Sequence, residues 1–218
     1  MKANDIHEVV RILRQEAPKW KTPAVTIVAE DKRNPFYVLV SCILSLRTKD
    51  ETTGAAFRRL VKRARTPQEL RRISADELAR IIYPVGFYNR KAVQLRDIAR
   101  DLIERFGGRT PDSIEDLLTL KGVGRKTANL VVTLGHRKPG ICVDTHVHRI
   151  CNRWGYVKTS APDKTEFALR KKLPQEYWIE INDLLVTYGQ NLCAPISPKC
   201  SQCRIEPYCK KIGVNKHR

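Results

Sequence analysis

No stretch of this chain sustains the alternation of apolar and polar residues that a half-buried strand requires, whereas helix signals recur along most of its 218 residues. Ile6, Val9, Val10 and Leu13 keep the i, i+3, i+4, i+7 spacing of an amphipathic helix, and "AND" before them offers a cap. In "NPFYVLVSCILS", Asn34 reads as an N-cap and Pro35 as the first helical residue. Its nearly unbroken apolar run predicts a helix buried on most sides, the core helix. "TPQELRRI" opens with Thr66 and Pro67 in the same way, and "SADELARII" carries a capping box of Ser74 and Glu77. "NRKAVQLRDIARDLIERFGG" predicts one longer helix that stops at Gly107 and Gly108, where a left-handed C-cap costs glycine little. The expectation is an all-α protein of about ten short helices, without a low-complexity linker to mark a simple domain cut.

Charge narrows the partners. There are 41 Lys and Arg residues against 23 Asp and Glu, a net charge of +18, well beyond what solubility needs. A polyanion such as nucleic acid is the expected partner, with an anionic membrane surface as the competing reading. The segment "MKANDIHEVVRILRQEAP" is charged throughout, so neither a signal peptide nor a membrane span is expected, and the protein is expected to be soluble and intracellular. The length suffices for one or two domains with a core that needs no disulfide staples.

The seven cysteines are unevenly spread. Cys42, Cys142 and Cys151 stand alone in apolar surroundings and read as small core residues. Cys193, Cys200, Cys203 and Cys209 follow a Cys-x6-Cys-x2-Cys-x5-Cys spacing in "CAPISPKCSQCRIEPYC", which brings four thiolates around one centre. A zinc ribbon presents two Cys-x2-Cys knuckles and this segment has one, so the wider gaps favour an iron–sulfur cluster over a tetrahedral ion. Electron transfer is the alternative use of such a cluster, but no flavin or second-cluster motif accompanies it.

In "LKGVGRKTANLVVTLG", Gly122 and Gly124 permit a tight turn whose backbone N–H groups lead into a helix starting near Arg125. Such a turn is an anion site, although plain helix–turn–helix packing explains the same glycines. Lys126 then falls in the first helical turn, where a cation sits badly with the helix dipole. A solvated surface lysine is the bland reading. Against it, the dipole and neighbouring Arg125 both disfavour the ammonium form and make a nucleophilic amine more accessible. Eighteen residues on, "VDTHVHRICNRWG" reads as a helix with Asp144 as N-cap and Gly155 as its stop, so that Asp144 taken alone is a cap. The run "FRRLVKRARTPQELRR" holds seven basic residues and one acid, which a solvated helix face explains as well as DNA contact does.

Together, "LKGVGRKTANLVV", "VDTHVHRICNRWG" and the four-cysteine tail resemble the endonuclease III family of helix-hairpin-helix DNA glycosylases, which remove oxidised pyrimidines. The resemblance extends through "NPFYVLVSCILSLRTKDETT" and "VGFYNRKA", from about Asn34 to Cys209. It implies a bilobal all-α fold with a DNA-binding cleft between the lobes. One lobe is a six-helix barrel over residues 28–137, and the other a helical domain of residues 1–27 and 138–218 with the iron–sulfur loop. It implies a 4Fe-4S cluster on Cys193, Cys200, Cys203 and Cys209, with Lys126 as the catalytic lysine and Asp144 as the catalytic aspartate.

Around that centre, the resemblance has the hairpin of Lys121, Gly122, Val123 and Gly124 hold phosphate, with a monovalent cation there as in relatives. Lys199 lies in the cluster-supported basic loop. The implied partner of a monomeric, cytoplasmic, nucleoid-associated protein is double-stranded DNA with a damaged base or abasic site. The implied activity is base removal followed by strand cleavage through a lysine Schiff base. Three positions depart from the family pattern: Arg47 where many relatives have glutamine, Phe87 where a leucine wedge is common, and Lys121 where proline is frequent. Arg47 and Phe87 are expected to fill the gap left by a flipped base or to intercalate, which bears on lesion preference. Two rivals stand: a monofunctional mismatch, uracil or adenine glycosylase of the same fold, and a non-enzymatic helix-hairpin-helix protein in which Asp144 only caps.

Overall fold

The computed structural model describes residues 2, 4–20, 25, 26, 28 and 34–218, and among these it is helical, with no strand. By internal contacts the chain forms two units, Ala24–Lys138 and a terminal unit made of Met1–Pro23 with Pro139–Arg218.

The terminal unit contains α1 (Asp5–Glu16), whose apolar stripe buries Ile6, Val9, Val10 and Leu13. Its start departs from the sequence reading: Asn4 makes no side-chain cap bond, and the Asp5 carboxylate instead accepts the Lys2 backbone N–H at 2.6 Å.

The middle unit is built around α2 (Pro35–Ser45), in which nine of eleven residues are buried, as an unbroken apolar run requires. The Asn34 side chain accepts from the Phe36 N–H at 2.9 Å. α3 (Asp50–Arg63) packs on α2, followed by α4 (Pro67–Arg72) and α5 (Ala75–Ile82). Thr66 and Ser74 cap the last two by accepting the Glu69 and Glu77 N–H groups, each cap contributing about 1 kcal/mol. The Glu77 carboxylate binds Arg63 at 2.6 Å.

α6 (Tyr88–Phe106) lays Leu95, Ile98, Ala99 and Leu102 against α4 and α5 and ends, as the sequence predicts, on the left-handed Gly107 and Gly108. Its N-cap, Phe87, is itself left-handed, with φ 59°. α7 (Ile114–Leu118) and α8 (Arg125–Leu130) enclose the turn of residues 119–124. α8 widens into a π-helical turn at Val131–Gly135 that packs on α2. A Cβ on Gly135 would lie 2.9 Å from the Pro35 Cα, so glycine permits that approach.

The terminal unit continues with α9 (Thr145–Arg153), stopped by the left-handed Gly155, then α10 (Pro162–Lys172) and α11 (Ile181–Asn191). Its core joins Leu13, Ile150, Trp154, Leu185 and Tyr188, and Cys193, Cys203 and Cys209 pack against that core. Cys42, Cys142 and Cys151 are buried, as small core residues should be. Among the described residues no helix is long and apolar enough to cross a membrane.

Candidate functional site

The middle unit contributes the hairpin and Lys126. Gly122 adopts φ 73°, and a Cβ there would meet the Gln94 Nε2 at 2.4 Å. That amide donates to the Lys121 carbonyl at 3.1 Å, so α6 braces the turn from behind. Val123 is buried and bonds back through its N–H to the Leu120 carbonyl, pinning the apolar side of the hairpin. Gly124 is the N-cap of α8 in an extended conformation, with no side chain to cap the first turn and nothing near its Cβ position. No acidic residue lies in that turn. The start of α8 is thereby of the amide-rich, positive kind that attracts anions.

Lys126 is exposed one residue into α8, and its positive charge is felt at Cys42 on the core helix, where burial pushes the thiol up to about 12. Lys121 is exposed and pairs with Asp97 of α6 at 3.1 Å.

Arg47 and Phe87 are both exposed and both left-handed, with φ 53° and 59°, and the Arg47 guanidinium lies 5.7 Å from the Phe87 ring centroid. Lys91, which the sequence reading passed over, is buried beneath them and donates to the Leu44 and Leu46 carbonyls and to the Thr48 hydroxyl. Burial lowers it to about 8. A signal was there to read: Lys91 shares the stripe of Leu95, Ile98 and Leu102, an apolar helix face with a lysine at one end.

The terminal unit contributes Asp144 and the thiols. Asp144 is 7% exposed, and its Oδ1 accepts the His146 and Val147 N–H groups at 2.8 and 3.0 Å as the N-cap of α9. Cys193, Cys200, Cys203 and Cys209 line one pocket with Arg153, Tyr188, Lys199 and Lys211. Lys199 is thus half-buried at the pocket wall. Burial raises the Cys200, Cys203 and Cys209 thiols. Arg153 donates to the Cys193 sulfur at 3.4 Å, the Lys211 N–H donates to the Cys209 sulfur at 3.3 Å, and the Tyr188 hydroxyl lies 3.2 Å from the Cys203 sulfur. Among the described residues no three His, Cys, Asp or Glu side chains converge on a single metal ion. Arg149 and Arg153 are further residues the sequence reading missed. They donate to the carbonyls of Cys193, Ala194 and Pro195 and so fix the start of the loop that ends at Cys200.

Residues 40–175 match the HhH-GPD superfamily base excision DNA repair protein family. Endonuclease III of Thermotoga maritima is 48% identical over 177 residues, covering 81% of this chain and 83% of that protein. Endonuclease III homolog 1, chloroplastic, of Arabidopsis thaliana is 43% identical over 183 residues, and the chain spans 48% of its length. A solved endonuclease III trapped as a covalent intermediate with DNA matches with a TM-score of 0.84 at 29% identity, covering 97% of each chain.

Proposed function

Because this chain belongs to the HhH-GPD superfamily of base excision DNA repair proteins, we propose that it is a bifunctional DNA glycosylase and abasic-site lyase acting on oxidised pyrimidines. The observation that carries this reading is the likeness, over 97% of both chains, to an endonuclease III held covalently to DNA. A covalent intermediate requires a nucleophile, and Lys126 is the proposed one: it is exposed on the helix that follows the phosphate-binding type of turn.

Once the damaged nucleotide is flipped out of the duplex, the Lys126 amine attacks the sugar C1′ as the base departs. Asp144 supplies a carboxylate that stabilises positive charge on the sugar or accepts the proton of the amine. The opened sugar and Lys126 form a Schiff base, whose iminium acidifies the C2′ proton. Loss of that proton drives β-elimination, which breaks the strand on the 3′ side and, after hydrolysis, returns the amine. The hairpin of Lys121, Gly122, Val123 and Gly124 holds the DNA backbone, as the uncapped helix start supports, with a monovalent cation as a further proposed ligand of the turn.

Cys193, Cys200, Cys203 and Cys209 are the proposed ligands of a 4Fe-4S cluster. The fit rests on their shared pocket, on the donors directed at two of the sulfurs, and on a set of four thiolates being the ligand set such a cluster takes. Bound there, the cluster supplies a structural brace for the loop of Lys199.

The deciding experiment incubates the protein with an oxidised-pyrimidine duplex and borohydride. A covalent protein–DNA adduct that disappears in Lys126→Ala, with duplex affinity retained, is the expected result. Base release without an adduct would mean a monofunctional glycosylase, and no base release from any lesion would leave a DNA-binding protein.

A further inference from the structure

We propose that Lys91 is a positioning residue that locks Arg47 and Phe87 into one preformed wedge for opening the base stack. This rests on the glycosylase reading and adds to it a source of rigidity. Two non-glycine residues in the left-handed region, each on a short connection, are costly and persist only where neighbours over-determine them. Here the neighbours can be named.

The connection from α2 to α3 carries Leu46, Arg47 and Thr48, and the connection from α5 to α6 carries Val85, Gly86 and Phe87. The two press backbone against backbone: a Cβ on Gly86 would lie 2.6 Å from the Arg47 carbonyl oxygen. The Thr48 hydroxyl is the node between them. It accepts the Gly86 N–H at 3.1 Å and the Lys91 ammonium at 3.3 Å, and donates to the Leu46 carbonyl at 3.2 Å. Lys91 spends its other donors on the Leu44 and Leu46 carbonyls at 2.8 and 2.5 Å, groups that the end of α2 leaves without helical partners.

A buried ammonium is expensive to desolvate and is retained where its hydrogen bonds are all met. What this one holds is the backbone just before Arg47, at Leu44 and Leu46, the Thr48 side chain just after it and, through Thr48, the backbone of Gly86 beside Phe87. The outcome at the surface is an exposed ring, 55% accessible, with a guanidinium over it. Such a stacked pair presents a planar face to bases, and its orientation is set before DNA arrives.

The consequence is specific to substrate. Unstacking a paired lesion needs the wedge, whereas an abasic sugar, with no base to extract, needs it far less. In single-turnover assays, Lys91→Met should slow base release from a paired oxidised pyrimidine about 10-fold or more, as misplacement of a positioning group does. Strand cleavage at a preformed abasic site should stay within about twofold of wild type. Combined with Phe87→Ala, the substitution should add little to the loss Phe87→Ala causes alone, since both disable one device.

Equal loss on the two substrates, no loss on either, or independent multiplication with Phe87→Ala would each overturn the proposal. If Lys91→Met fails to fold, Thr48→Val, which removes the node but leaves the lysine, decides by the same selective signature. A wild-type protein that neither releases base nor cleaves an abasic site would defeat the enzymatic reading itself. A wild type active in both, matched by Lys91→Met, would defeat only this inference.

Discussion

Asp144 combines a structural and a proposed chemical role, and they can be pulled apart. Its Oδ1 caps α9, a role that "VDTH" announces in sequence, while its proposed chemistry depends on charge. Asparagine caps a helix about as well as aspartate, so Asp144→Asn should leave the melting temperature near wild type. It should lower base release by about 10²-fold or more, the range seen when a charge-stabilising group is lost. An unchanged rate would return Asp144 to the status of a cap. The two hairpin glycines separate in the same manner. Gly122 is left-handed with Gln94 against its Cβ position, so Gly122→Ala should cost about 1–2 kcal/mol and weaken DNA binding. Gly124 is extended with open space, and Gly124→Ala should fold normally; thermal melts of the pair measure the contrast. From sequence both glycines look equally necessary, because φ and the position of Gln94 are tertiary facts.

At the scale of elements, helix starts were legible wherever the signal is local. Asn34, Thr66, Ser74 and Asp144 each bond the amides their positions predict. Asn4 does not, as Asp5 beside it takes the backbone of Lys2 instead. The body of α6 was legible from Asn89, one residue inside its observed start, but its cap was not: Phe87 is left-handed next to Gly86, which packs on the Arg47 carbonyl and bonds Thr48 in a loop far earlier in the chain. The thiol loop is held in a similarly non-local way, by Arg149 and Arg153 reaching back from α9. That anchoring gives the proposed cluster a test beyond metal content. Cys203→Ala should reduce bound iron and acid-labile sulfide together and lower the melting temperature, since a site assembled from ligands returns its binding free energy as folding free energy. Zinc without sulfide in the wild-type protein would refute the cluster. Arg153→Ala should weaken DNA binding through a loosened loop, with a smaller effect on iron than Cys203→Ala.

Over the whole molecule the net charge of +18 was the earliest pointer to a polyanion, but charge counted from sequence overstates what is available to DNA. Arg63, Arg100, Lys121 and Lys138 are engaged with Glu77, Asp101, Asp97 and Asp112. At exposed positions such pairs contribute roughly 0–1 kcal/mol, so a phosphate competes well for the cation. Lys121 is the informative case, for it lies in the hairpin and its partner Asp97 comes from α6. If Lys121 trades Asp97 for a phosphate on binding, the affinity of a non-specific duplex should fall with salt along a slope that Lys121→Ala makes shallower by about one unit. Asp97→Ala should act in the opposite direction, tightening binding about two- to threefold at low salt, because the lysine no longer has to leave an internal carboxylate. The loss from Lys121→Ala should also vanish as salt approaches the molar range, where screening shortens to about 3 Å. A Lys121→Ala protein with the wild-type slope would place the hairpin's grip entirely in its backbone amides, with Lys121 serving only to tie the turn to α6.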